Sequence, residues 1–223
     1  MIQRMDTAAV SRALGEPIRI EILAKLLGGP ATVADLVAQT ESTQPNTSNH
    51  LAVLKDAGLV KGDRAGRQVR YRLADASAAE LVEAIVVVSA PKSRRPPPMS
   101  PMAEARMCYD HVAGRLGVAL LEALIREGAL DRSSRSRTMR LGPRTDLFDR
   151  LRIDVASAAS ARRRFAFSCL DWTERRGHLG GALGASLADR LLELGWLRRV
   201  DGTRALVVTA KGRRGLRRTL GIE

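Results

Sequence analysis

The sequence predicts a mainly α chain with small β-hairpins, arranged as two domains. Three observations carry this. Apolar residues recur at helical spacing in segments that stop at Gly28, Gly58, Gly128 and Gly195. Aromatic residues make up only 3% of the 223, so the cores must be built from Leu, Val, Ile and Ala, a composition that favours helices. Residues 91–101, PKSRRPPPMSP, are proline-rich and basic, unsuited to a helix or sheet interior. They read as a stiff linker between a domain at 1–90 and another at 102–223.

In the first domain, residues from about Asp6 to Ala13 read as a helix. Pro17 opens a second, because the first turn of a helix has N–H groups without internal partners and tolerates proline. Ile18, Ile22, Leu23 and Leu26 form its buried face, and Gly28-Gly29-Pro30 ends it. Thr32 to Ala38 is a short third helix. A fourth starts at Thr43, a suitable N-cap, carries Leu51, Val53, Leu54 and Ala57 at helical spacing, and ends at Gly58. Its leading half is polar. A helix that had only to pack would not need Gln44, Asn46, Thr47, Ser48, Asn49 and His50 crowded at one end. A helix entering a DNA major groove N-terminus first would use them on base edges and phosphates.

Leu59 to Leu73 reads as a hairpin around a Gly/Asp turn. Between Lys61 and Arg72 there are five basic residues and one acid, which suits a phosphate backbone. Arg64, Arg67, Gln68 and Arg70 are the candidate contacts, against the plainer reading of a solvated basic loop. Ser77 to Ser89 is then apolar on nearly all sides and needs partners on more than one face.

The run Ala13-Leu14-Gly15-Glu16-Pro17-Ile18-Arg19 with Ile22-Leu23, then Ser48 to Leu54, Ala57 to Val60 and the stretch Arg64 to Tyr71 resemble the ArsR/SmtB family. The resemblance covers roughly the first ninety residues. It implies a winged helix-turn-helix that binds double-stranded DNA as a homodimer, a transcriptional regulator and repressor acting on a pseudo-palindromic operator. It also implies that Thr32–Ala38 positions the recognition helix and that Ser77–Ser89 pairs with the first helix at the dimer interface. Family members that sense metal use Cys on the positioning helix or Asp/His pairs on the last dimer helix. Here the positioning helix has neither Cys nor His, and the last helix offers Asp75, Glu80 and Glu83 without His, so neither metal site carries over.

Beyond the linker the chain reads as two half-winged-helix-like repeats, about 108–153 and 169–222. Cys108-Tyr109-Asp110-His111 and Cys169-Leu170-Asp171-Trp172 each lead through a Gly-rich step into a helix, Leu120–Leu130 and Leu187–Leu197. Leu124 and Leu191 stand four residues before the terminating glycine, as Leu54 does before Gly58. Leu141 and Val208, thirteen beyond the glycine, mark the apolar end of a second strand, and an amphipathic helix follows each. Asp154 to Arg164 bridges the copies.

The net charge of +13 is unevenly spread. Through Ala90 there are ten Lys/Arg and ten Asp/Glu; from Pro91 onward there are 27 and 14. That surplus raises the alternative of an architectural nucleic-acid binder using its basic C-terminal domain. No apolar run approaches the length of a membrane span, no signal-peptide pattern is present, and two Cys make no disulfide framework. A cytoplasmic setting is expected. Cys108, His111, Cys169 and His178 could hold zinc tetrahedrally, with Cys108 and His111 three apart on one helix face. The competing reading is structural packing, since buried Cys behaves as a small hydrophobe. The sequence therefore calls for no cofactor, with zinc as an alternative. The second domain is expected to stabilise the dimer or to receive a metal, redox or small-molecule signal, with Tyr109, Trp172 and His178 as candidate pocket linings. A thiol enzyme using Cys108 and His111 is a further alternative. It lacks an oxyanion loop, a phosphate loop or a dinucleotide fingerprint, so no enzyme is expected.

Overall fold

Proline and glycine punctuate the chain much as the sequence indicates. The computed structural model describes residues 7–66, 68–89, 100–133 and 136–223. They fall into two units divided between Val88 and Ser89. The first unit runs α1 (Thr7–Leu14), α2 (Pro17–Leu26), β1 (Ala31–Thr32), α3 (Val33–Val37), α4 (Gln44–Asp56), β2 (Val60–Ala65), β3 (Gln68–Leu73) and α5 (Ala76–Ser89). The short strand β1 was not anticipated. It pairs with β3, so that the hairpin becomes a three-stranded antiparallel sheet of order β1-β3-β2, with Ala31 opposite Tyr71 and Val60 opposite Leu73. Thr32 caps α3 in a reciprocal box: its hydroxyl accepts from the Asp35 N–H, and the Asp35 carboxylate accepts from the Thr32 N–H at 2.8 Å. Ile22, Leu23, Leu26, Leu36, Leu51, Leu54 and Val82 meet in one core. Truncating one such leucine to alanine would cost about 2–5 kcal/mol.

The second unit begins with α6 (Pro101–Glu104), capped by Ser100, so Pro101 starts a helix instead of ending the linker. Residues 91–99, where most of the linker was read, lie outside the described residues. There follow β4 (Arg106–Cys108), β5 (His111–Ala113), α7 (Gly114–Arg126), β6 (Leu130–Arg132), β7 (Met139–Leu141) and α8 (Asp146–Leu151). After α9 (Val155–Ser160) the same order returns: β8 (Phe167–Leu170), β9 (Gly177–Gly180), α10 (Gly181–Glu193), β10 (Leu197–Arg199), β11 (Leu206–Val208) and α11 (Ala210–Leu220). The opening hairpins, β4–β5 and β8–β9, were missed by the sequence reading, which took these stretches as lead-ins to helices. Three- and four-residue strands are too short to show alternation.

Each opening hairpin reaches across to the other half. The Met107 N–H donates to the Arg204 carbonyl and the Leu206 N–H to that of Ala105; the Ser168 N–H donates to Arg137 and the Met139 N–H to Ala166. The halves thus exchange backbone hydrogen bonds reciprocally and share one apolar core, in which Leu120, Leu121, Leu124 and Phe148 meet Leu183, Leu187 and Leu191. Neither half would be satisfied alone.

Candidate nucleic-acid interface and a buried Cys/His cluster

The helix-turn-helix is α3 followed by α4. Pro45 lies in the first turn of α4, and Thr43 takes the N-cap position without a side-chain capping bond. Leu51 and Leu54 anchor the helix in the core, which fixes its rotation. That rotation leaves Gln44, Asn46, Ser48 and Asn49 exposed and His50 partly so, and the Asn46 amide donates to Ser42 Oγ at 3.3 Å. Thr47 is a correction: it is fully buried, one turn before Leu51, and cannot reach a groove.

In the wing, Arg64 and Gln68 are exposed near the turn. Arg70 is half-buried and donates to the Pro30 carbonyl at 3.1 Å, so it ties the wing to the segment before β1 as well as carrying charge. Arg72 pairs with Asp63 across the hairpin at 2.6 Å. Arg67 lies outside the described residues.

The second constellation lies within the C-terminal unit. Tyr109 and Asp110 form a two-residue turn, with Tyr109 at φ 57°, and this sets Cys108 directly opposite His111 on paired strands. They are cross-strand neighbours, not residues on one helix face as the spacing of three suggested. Cys169 faces His178 in the same way across β8–β9. All four side chains are buried, and one ligand atom from each lies within 4.8 Å of the others. The imidazoles stack at a 30° tilt with centroids 5.0 Å apart. Glycine is required where the helices pass these hairpins: a Cβ on Gly117 would lie 2.4 Å from the Val112 carbonyl oxygen and one on Gly184 2.4 Å from that of Leu179, each also 3.3 Å from the Cβ of His178 or His111.

A polar shell surrounds the cluster. Asp171, fully buried, accepts from the Arg106 guanidinium at 2.9 Å and from the N–H groups of Gly114, Thr173 and Glu174. Arg106 in turn lies over the Trp172 ring at 4.7 Å. Burial alone would raise the Asp171 carboxyl, but Arg106 and these hydrogen bonds hold it well below the usual carboxylate range. Asp110 bonds His111 Nδ1 at 3.1 Å and pairs with Arg163. Burial lowers the proton affinity of His111, yet Asp110 and the neighbouring Cys108 outweigh it and raise the pKa to about 9. His178 is pushed down to about 3 by burial and by His111, against the pull of Asp171. Two imidazolium charges cannot share the cluster, so His178 stays neutral. Of the candidate pocket linings, Tyr109 is 52% exposed and His178 fully buried, and a cavity of about 190 Å³ elsewhere in this unit is lined by residues including Arg115, Leu116, Val208, Arg213 and Leu216.

Residues 16–61, from the N-cap of α2 into the wing, match the family described as bacterial regulatory protein, arsR family. The chain is 33% identical over 224 residues to the uncharacterized HTH-type transcriptional regulator YdfF of Bacillus subtilis (strain 168), covering 98% of each chain. It is 44% identical over 85 residues to the HTH-type transcriptional regulator CmtR of Mycobacterium bovis, covering 36% of this chain and 72% of that one. Among solved structures, the transcriptional repressor BigR from Xylella fastidiosa matches with a TM-score of 0.36 and 32% identity over 39% of this chain and 89% of that one. No helix among the described residues is long and apolar enough to cross a membrane. With its recognition helix and wing in place and a regulator aligned along its whole length, the chain belongs to the ArsR family, as a DNA-binding transcriptional regulator.

Proposed function

We propose that the protein is a cytoplasmic repressor, not an enzyme, that acts as a homodimer on a pseudo-palindromic operator. The observation that supports this most directly is the exposed polar leading half of α4, Gln44, Asn46, Ser48 and Asn49, on the same unit as a wing bearing Arg64 and Gln68. Gln and Asn amides match the donor–acceptor edge of adenine bidentately, and Ser is tolerant of either edge. Wing arginines add phosphate or minor-groove charge. A second copy would present a second α4 about one helical turn of DNA away, roughly 34–36 Å. We also infer that residues 102–223 are two degenerate half-winged-helix repeats, on the strength of the returning element order and the shared glycine-ended helices α7 and α10. The test is operator binding by a Gln44→Ala/Ser48→Ala/Asn49→Ala variant of the full chain. It is expected to lose sequence discrimination while keeping weak, salt-sensitive binding; full operator affinity would overturn the assignment.

A basic second surface favours the alternative of an architectural binder. Lys211, Arg213, Arg214, Arg217 and Arg218 are all exposed on α11, a helix without an acidic residue. If that reading holds, replacing Lys211, Arg214 and Arg218 by alanine lowers the salt slope of non-specific binding by about three. If α11 is solely a solvated face, the slope stays unchanged.

A further inference from the structure

We infer that Cys108, His111, Cys169 and His178 form a closed tetrahedral site for zinc or a divalent cation of the same borderline-soft class, and that the ion staples the two halves of the C-terminal unit. The donor set is the first ground. Two thiols and two imidazoles suit zinc, whereas magnesium and calcium prefer oxygen. Geometry is the second. With Zn–S near ~2.3 Å and Zn–N near ~2.0 Å, the edges of the ligand tetrahedron are about 3.3–3.8 Å. The ligand atoms already lie within 4.8 Å of one another. No edge has to shorten by more than about 1.5 Å, a movement that side-chain rotation supplies.

The nitrogens are the third ground. Nδ1 of His111 is bonded to Asp110 at 3.1 Å, and Nδ1 of His178 lies 3.6 Å from an Asp171 oxygen. Nε2 of each ring, and Nδ1 of His178 as well, is buried with no hydrogen-bond partner among the described residues. A carboxylate bonded to Nδ1 orients a ligating histidine and leaves Nε2 as the donor, as Asp110 does for His111; Asp171 stands behind His178 at 3.6 Å, just beyond hydrogen-bond reach. A Cys108–Cys169 disulfide, the competing fate of two adjacent buried thiols, would leave both Nε2 atoms unsatisfied. The fourth ground is the backbone. Each half supplies one Cys and one His from a cross-strand pair, so the ion would join the two opening hairpins, whose halves are otherwise held by backbone bonds to each other's second hairpin and by packing. Four buried protein ligands leave no open coordination position, the mark of a structural site as distinct from a catalytic one.

The site can be tested without reference to operator binding. The reduced full chain, stripped with a chelator, is titrated with Co2+ and then Zn2+ in competition with a chromophoric chelator. The expected result is one equivalent of Co2+ with thiolate-to-metal charge transfer and tetrahedral ligand-field absorption, both lost when Zn2+ displaces it. Zinc should also protect both thiols from alkylation. Asp110→Asn, at the half-exposed carboxylate, should weaken binding roughly 10–100-fold. A Cys108→Ser/Cys169→Ser variant should lose the stoichiometric site. The proposal is overturned if the full chain takes up no stoichiometric metal, or if the double serine variant binds as well as the parent. Should that variant fail to fold, the Co2+ titration of the native chain decides: absence of thiolate-to-metal charge transfer at one equivalent refutes the site.

Discussion

Thr47 shows how one position on a helix separates contact from packing. It shares the polar character of Ser48 and Asn49 but falls on the stripe with Leu51 and Leu54, and its hydroxyl is buried without a hydrogen-bond partner among the described residues. Replacing it by the isosteric Val removes an unsatisfied buried group, so Thr47→Val should be neutral or stabilising in urea melts and leave operator affinity unchanged. Asn49→Ala, one and a half exposed turns into α4, is expected to cost about 1–3 kcal/mol of operator binding and to relax preference at one base pair in a binding-site selection. Arg106 is the opposite case, a residue the sequence did not single out. It is fully buried against Asp171, and removing the cation strands a buried carboxylate. Arg106→Met should therefore destabilise the protein by about 3–5 kcal/mol in equilibrium unfolding. No local pattern marks Arg106, because its partner is 65 residues away.

Local chemistry was most legible where it terminates elements. α4, α7 and α10 all end on a glycine in the left-handed region, Gly58 at φ 72°, Gly128 at 74° and Gly195 at 66°. In each, the following N–H reaches back to a leucine carbonyl, Leu54, Leu124 or Leu191, at 2.9 Å. The sequence spacing of Leu and Gly anticipated these ends. A side chain at Gly58 or Gly195 would meet nothing within 4 Å, so the cost of Gly→Ala there is that of the backbone alone. About 1–2 kcal/mol is expected from each in thermal or urea unfolding. In the wing, Arg64 is exposed and free of a described ion pair, unlike Arg72. Arg64→Ala should weaken binding to all sequences alike and lower the salt slope by roughly one.

At the scale of the whole molecule, α5 keeps an apolar surface on its outer side: Val82 is buried in the core, while Val88 is 84% exposed and Ile85 partly so. A second copy would cover it, and Ile85→Lys/Val88→Lys should shift the mass measured by light scattering from dimer to monomer and weaken operator binding accordingly. A closed metal site favours the stabilising role for residues 102–223 over the sensing one. Free zinc added to the zinc-loaded protein should then leave operator affinity unchanged, whereas a shift of about 5–150-fold would mark a sensor. The sequence by itself determined the helix-turn-helix, the wing and the polar face of α4, because those rest on helical periodicity, capping and turn chemistry within some thirty residues. It also singled out the four Cys and His residues, but placed Cys108 and His111 on a helix. Only the tertiary structure decided that both Cys/His pairs lie on hairpins, that the halves exchange backbone hydrogen bonds and that Arg106 closes on Asp171. The hairpins are local, but strands this short leave no periodic trace; the bonds between the halves and the Arg106–Asp171 pair, 65 residues apart, depend on a return of the chain that packing sets.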